Sequence, residues 1–306
     1  MEMMSSEDPF VAGLDFVLGV LKERREAGIQ LKASASALKG LRQLAVLPPS
    51  DKAIRFSGDA GSKSKRPVAH EPGEPVQGKS RGAAVASEGA PMVESFTGDK
   101  REALAGLRAE TARCEKCPNL ARSRFSVVFG EGDPEAELMF VGEAPGADED
   151  AQGKPFVGAA GELLGKMIGA MGLSRERVYI ANVLKCRPDM PEGVPGNRKP
   201  TGEEMERCLP FLRKQISIVQ PRVMVALGAT AMQGLFGRTE AMGRLRAQWH
   251  DFGGIPVMAT YHPSYLLRNQ AASEKRKVWE DLMQVMERLG LPISDKQRAF
   301  FLPRRD

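Results

Sequence analysis

Four carboxylates and one aromatic ring crowd a single glycine-rich stretch of the chain. Between Gly142 and Leu164 stand Glu143, Asp148, Glu149 and Asp150, followed by Pro155-Phe156-Val157. Acidic groups beside an aromatic suit a site that handles a flat, polar molecule. Downstream come Asn182, four residues before Cys186, and His262 within Tyr261-His-Pro-Ser264. Cys114, Cys117, Cys186 and Cys208 are all the cysteines of the chain. The Cys-x2-Cys spacing of the first two is common among metal ligands. Four thiolates suit an iron–sulfur cluster or a structural zinc. The later two are scattered, which weakens a zinc-ribbon reading, and unrelated buried thiols are the remaining alternative. Only three histidines occur, His70 among them, so imidazole has little room as a further ligand.

These groups need elements to position them. Leu138–Val141, Val178–Ala181, Val223–Leu227 and Pro256–Thr260 are short apolar runs that read as buried strands. Helical spacing is found in Ala103–Ala112, Glu162–Met171, Glu203–Val219, Ala229–Phe236 and Glu274–Leu289. The alternation predicts an α/β fold, a mostly parallel four-stranded sheet flanked by helices on both faces. Each strand ends in a polar or glycine-bearing segment: Gly142-Glu143, Asn182, Gly228-Ala229-Thr230 and Tyr261-His262. In a parallel sheet these ends share one edge, where ligands bind. Glu143, Asn182 and His262 are then expected to be neighbours. The stretch from Gly142 to Leu164 reads as one long loop, a length that usually marks function.

The 306 residues carry a formal net charge of +5, compatible with a nucleic-acid partner without demanding one. Residues 10–47 read as a helical N-terminal extension, a packed appendage or a docking helix. Residues 48–97 are dominated by Pro, Gly, Ser, Ala and Lys and read as a disordered linker. The globular domain is expected over 98–290, with a C-terminal tail over 291–306. No secretory signal opens the chain, and 10–21 is too short to span a bilayer and carries Asp15. The expected location is the cytoplasm, where disulfides are rare.

Taken together, Gly142-Glu-Ala-Pro-Gly146, Glu149-Asp150, Pro155-Phe-Val-Gly158, Asn182-x3-Cys186-Arg-Pro188, Asn197-Arg198 and His262-Pro-Ser-Tyr-Leu-Leu-Arg268 resemble the family 4 uracil-DNA glycosylases. The resemblance covers roughly residues 101–290. It implies a [4Fe–4S] cluster on Cys114, Cys117, Cys186 and Cys208, with 189–196 as a loop insertion between the last two. Ala144 stands where the best-known family of the superfamily has a water-activating aspartate; family 4 also carries a small residue there. No histidine-bearing basic loop follows Cys186, so covalent trapping on uracil is not expected.

The resemblance also implies roles. A glycosylase acts on a base flipped out of the duplex or taken from a single strand. Phe156 would stack on uracil, with Gly142 and Ala144 also lining the base site. Asn182 would read the N3–H and O4 edge. His262 would donate to O2 as negative charge grows there, and Glu143 and Glu149 would favour the cationic sugar and orient water. Ser264, Leu266, Leu267 and Arg268 would meet DNA, the leucines as a wedge. Singly, each has a plainer reading: Phe156 as core, Asn182 as a turn residue, His262 as structural, Leu266 to Arg268 as the first turn of a helix.

The expected partner is uracil-containing DNA, the expected state a monomer, with no membrane association. A non-catalytic iron–sulfur nucleic-acid-binding protein is the main alternative. A nucleotide-binding enzyme of another class is weaker, since 158–166 only approaches a phosphate-binding loop. The tail segment Gln297-Arg-Ala-Phe-Phe301 either folds back onto the domain or loosely resembles peptides that dock on a sliding clamp.

Overall fold

A computed structural model describes residues 96–302, apart from 192, 193 and 195. The expected helices before residue 48, and nearly all of the expected linker, lie outside the described residues. In chain order the elements are α1 (Lys100–Ala112), α2 (Pro118–Ser123), β1 (Glu131–Gly132), β2 (Leu138–Gly142), α3 (Ala147–Gln152), α4 (Ala159–Ala170) and β3 (Tyr179–Asn182). There follow α5 (Gly202–Val219), β4 (Val223–Leu227), α6 (Ala229–Phe236), α7 (Met242–Leu245), β5 (Trp249–Phe252), β6 (Ile255–Thr260), α8 (Pro263–Arg268), α9 (Ala272–Leu289) and α10 (Asp295–Arg298).

The sheet has six strands in the order β1-β3-β2-β4-β6-β5. The four central strands are parallel, as expected. Two short antiparallel strands, β1 and β5, extend the edges. Neither was foreseen. Glu131–Gly132 has no apolar signature, and Trp249–Phe252 carries His250 and Asp251, which break the apolar run. Strand β5 joins β6 through Gly253-Gly254, both at positive φ as a tight hairpin turn requires.

Every residue of β2, β3 and β4 is buried, because helices cover both faces. Side chains alternate along a strand. Met139 and Val141 therefore join the layer containing Leu212 and Ile216 of α5. Leu138 and Phe140 join the layer containing Leu164 of α4 and Leu282 of α9. Strand β2 is followed by β3 on one side and, after α5, by β4 on the other. The carboxyl ends of β2 and β4 thus flank the point where the order reverses, and a crevice opens there.

Residues 142–164 are not one loop. Helix α3 lies within them, started by a capping arrangement of Glu149 on the Gly146 N–H and ended by Gly153 at φ 70°. Beyond α9 the chain folds back. Trp279 Nε1 donates to the Gln297 carbonyl at 2.6 Å, and Gln297 Nε2 donates to the Ala170 carbonyl at 2.8 Å. The Phe300 ring lies 5.3 Å from that of Trp279 and packs on the second core layer. The fold-back reading is observed for Gln297 and Phe300, while Phe301 is 44 % exposed. Among the described residues no helix is long and apolar enough to cross a membrane.

Candidate active site

A cavity of about 700 Å³ opens at the carboxyl ends of the parallel strands. Glu143, Ala144, Glu149, Phe156, Asn182, His262, Ser264 and Arg268 all line it. The convergence expected for the strand ends is therefore observed. Gly142 lies just beneath. A Cβ there would stand against Asn182 Oδ1 and 2.5 Å from the Phe156 ring, so the floor closes only over glycine.

Phe156 forms one wall. Its backbone has φ 53°, a left-handed conformation that costs a non-glycine residue about 1–3 kcal/mol. Three groups hold it. Glu149 Oε1 accepts from the N–H groups of Val157 and Gly158 at 2.9 and 3.1 Å, while Oε2 accepts from Gly146. Arg175 donates to the carbonyls of Pro155 and Phe156 at 2.8 and 3.0 Å, and to Glu131 at 2.8 Å. Gly161 lets helix α4 pass against the Phe156 carbonyl, which any Cβ would overlap. Glu149, expected to act on substrate, therefore has three of its roughly four lone-pair sites occupied by backbone donors. Arg175 has no motif that would single it out in the sequence.

Asn182 closes β3 and is 2 % exposed. Its carbonyl accepts from the Nζ of buried Lys185 at 2.8 Å. Lys185 also reaches Gln215, which donates to the Phe129 carbonyl and the Tyr179 hydroxyl. The Asn182 side chain is treated differently. Its Oδ1 is buried and has no hydrogen-bond partner. Such orphans are rare, because a buried unpaired acceptor costs on the order of 1–3 kcal/mol.

His262 faces the Phe156 ring, with centroids 5.6 Å apart. Its Nδ1 accepts from the Ser264 N–H at 3.1 Å, and the Ser264 hydroxyl lies at 2.8 Å. An amide N–H can only donate, so the ring proton resides on Nε2. Burial, then Arg268, lowers the imidazole pKa to about 4, against a small opposing effect of Glu149. The site thus holds a neutral imidazole with a free N–H donor. Ser264, expected at the DNA, acts here on His262.

The expected wedge is corrected in part. Leu266 is 4 % exposed and packs in the second core layer. Leu267 is 39 % exposed and Arg268 is exposed. Both belong to α8, whose helical period turns Leu266 inward. Behind His262, Thr260 donates to buried Asp281 at 2.7 Å, and Arg246 pairs with Asp281 at 2.8 Å. Tyr261 stacks on Tyr265 at 4.6 Å. Sequence reasoning missed this support because its members are far apart in the chain.

All four cysteines are free; Cys186 and Cys208 are buried and the other two half-buried. Cys186 Sγ accepts from Arg124 at 3.4 Å, and Cys208 Sγ from the Lys185 N–H at 3.3 Å. Burial pushes the Cys117 and Cys186 thiols up and that of Cys208 to about 12, with Cys114 raising all three. Cys114 therefore lies within electrostatic reach of the other three. Among the described residues no group of three or more His, Cys, Asp or Glu is arranged to hold a single metal ion. A cluster of several irons spreads its ligands more widely. The donor set fits such a group: four thiols, N–H donors on two of them, and Arg124 and Arg207 to offset thiolate charge.

The His262 assignment has a pH signature. The unfolded chain takes up a proton near the ordinary histidine value of about 6.5, whereas the folded chain resists until about 4. The stability contributed by this buried neutral ring is complete above the upper value and is lost as pH falls through the window. Imidazole ¹⁵N spectra should show an Nε2–H tautomer that protonates near pH 4. A midpoint near about 6.5, or an Nδ1–H tautomer, would contradict the geometry.

The profile of the uracil DNA glycosylase superfamily matches residues 129–283. Among curated proteins the chain is 45 % identical, over 185 residues, to the type-4 uracil-DNA glycosylase of Thermotoga maritima, covering 60 % of this chain and 93 % of the relative. It is 40 % identical to the type-4 enzyme of Archaeoglobus fulgidus over 58 % of this chain and 93 % of that one. A type-5 uracil-DNA glycosylase of Pyrobaculum aerophilum is 32 % identical over 57 % and 87 %. The strand ends and the cavity described above fall within the matched residues 129–283, and the chain belongs to the uracil DNA glycosylase superfamily, in its type-4 branch.

Proposed function

We propose that the protein hydrolyses the N-glycosidic bond of uracil in DNA and leaves an abasic site. The observation that carries this reading is the unpaired, buried Oδ1 of Asn182. It is an acceptor held ready for a donor, and uracil N3–H is such a donor. The same amide can donate from Nδ2 to O4. Cytosine presents an acceptor at N3 and an amino group at C4, so the pairing fails and the orphaned atom stays unpaired.

The other groups complete the reaction. Phe156 offers its ring face for stacking. His262 Nε2–H donates toward O2, where the leaving base accumulates charge; a neutral donor gains most when that charge appears. Water adds at C1′ as the bond to N1 breaks, and uracil departs as an anion that is then protonated. Glu143, half-buried at the cavity wall with no partner for its carboxylate among the described residues, would orient that water and favour the cationic sugar. Glu149 contributes negative charge from a fixed position. Ala144 carries no group that could act on water. The cavity is complete within one chain, which supports action as a monomer, and the cytoplasm is the proposed location.

Cys114, Cys117, Cys186 and Cys208 would hold a [4Fe–4S] cluster of structural character, joining the α1–α2 turn to the end of β3 and to α5. With four protein thiolates as ligands it leaves no iron site open.

Four measurements test these readings. Cluster-loaded protein should release uracil from a uracil-containing oligonucleotide and leave its cytosine counterpart intact. His262→Ala should slow single-turnover release about 100-fold or more with little change in DNA affinity. Binding without release by the unaltered protein would instead restore the non-catalytic alternative.

Arg175→Ala should lower kcat/KM about 10- to 100-fold by releasing the Phe156 turn. If Arg175 acts through that wall, the same change in a Phe156→Ala background should add little, a non-additivity that a general structural defect would not show. Anaerobically prepared protein should contain iron and sulfide at four atoms each per chain, as the proposed cluster formula requires. Stoichiometric zinc would defeat the cluster assignment.

A further inference from the structure

The segment that follows the expected insertion at 189–196 supplies three lining residues of the cavity: Asn197, Arg198 and Lys199. Arg198 is not available to a ligand. Its Nη1 and Nη2 pair with Glu204 at 2.9 and 2.6 Å, its Nε donates to the Asp189 carbonyl at 2.8 Å, and it also pairs with the Asp189 carboxylate. Nη1 donates in addition to the carbonyl of Lys199 itself at 3.0 Å. Glu204 caps α5 at Thr201, and Pro200 is buried. Arg187 ties the other end of the loop, donating to the Gly196 carbonyl and to Asn197 at 2.8 and 3.2 Å.

The result is a lysine whose backbone is fixed from both sides and whose side chain is exposed at the cavity. Unlike Arg198, it has no carboxylate partner among the described residues. Across the same cavity stands Arg268, also exposed and also without an ion-pair partner among the described residues. The lining carboxylates, Glu143 and Glu149, are half-buried. Anions are thus favoured at the exposed rim and disfavoured further in.

Building on the glycosylase reading, we propose that Lys199 and Arg268 clasp the DNA backbone phosphates flanking the flipped nucleotide. The ligand class is the phosphodiester, and the contact carries no sequence information. Lys199 suits the task as a compact cation on a flexible stem, while its anchored backbone fixes where that stem begins.

The test uses full-length, cluster-loaded protein and a duplex bearing a tetrahydrofuran abasic analogue, which cannot be cleaved at the glycosidic bond. Affinity is measured against sodium chloride concentration. Each phosphate contact contributes about 0.9 to the slope of log affinity on log salt. Lys199→Gln should reduce the slope by about that amount and weaken binding equally to duplexes lacking the analogue. Inhibition of the enzyme by free uracil should be unchanged, since the base pocket is untouched. An unchanged slope overturns the proposal. So does a loss of uracil inhibition, which would place Lys199 at the base. Failure of the unaltered protein to excise uracil would sink the glycosylase reading separately, because the slope comparison depends only on DNA binding.

Discussion

A left-handed aromatic residue is an unstable thing to build a pocket on, and the local architecture is organised by the need to hold Phe156 at φ 53°. The turn must present its ring to the cavity, so the backbone beneath is forced close to α4, where only Gly161 leaves room. The ring in turn crowds β2, where only Gly142 leaves room. Glu149 and Arg175 approach from opposite chemical sides, one gathering the N–H groups after Phe156, the other the carbonyls at and before it. Backbone strain of this kind persists only where surroundings over-determine it, and it clusters at functional sites. Two glycines, a carboxylate and a guanidinium follow from one dihedral angle.

The other two strand ends are held by buried polar networks. Lys185, 1 % exposed, anchors the carbonyl of Asn182 and through Gln215 reaches the segment before β1. Asp281, fully buried, bonds Thr260 at the end of β6 and pairs with Arg246. Burial raises the Asp281 pKa to about 6, against the opposing pull of Thr260 and Arg246. Buried ion pairs seldom add net stability, since desolvation offsets their attraction. Their contribution here is positional. Each fixes the backbone within two residues of a side chain that lines the cavity: Asn182 in one case, His262 in the other. A core of leucines could not do this, because dispersion contacts tolerate sliding and directional hydrogen bonds do not.

Which parts of this were legible in the sequence follows from how each signal arises. The four parallel strands and the long helices announce themselves by local periodicity, and their ends told where the site would form. Strand β1 is too short and polar to show a period, and β5 hides behind His250 and Asp251. Helix α3 was concealed by its glycines, although Gly146 and Glu149 stand at capping distance and Gly153 follows as a stop. A carboxylate in a loop looks free in sequence; the hold of three backbone N–H groups on Glu149 is a property of the folded turn. Leu266 and Leu267 are indistinguishable as letters, and only the phase of α8 assigns one to the core and the other to solvent. Arg175, Asp281 and Arg246 carry no motif at all. Their roles exist only across sequence distances that local patterning does not span.

The charge layout explains why the histidine must be neutral. In the proposed reaction the lining carboxylates would favour the positive charge that develops on the sugar, but they would equally attract a protonated His262. An imidazolium paired with Glu149 would be stabilised in the resting enzyme, and part of that stabilisation would have to be surrendered to meet uracil O2. A neutral ring makes no such pair. In the proposed role its N–H would interact modestly with a carbonyl and more strongly with the oxyanion that replaces it, so its effect would fall on the barrier and not on the bound substrate. Burial alone would bias the ring toward neutrality. The Ser264 N–H adds direction, because a proton on Nδ1 would face another proton. Ser264 lies on the first turn of α8, so the helix that exposes Leu267 and Arg268 also sets the tautomer of His262 at the cavity.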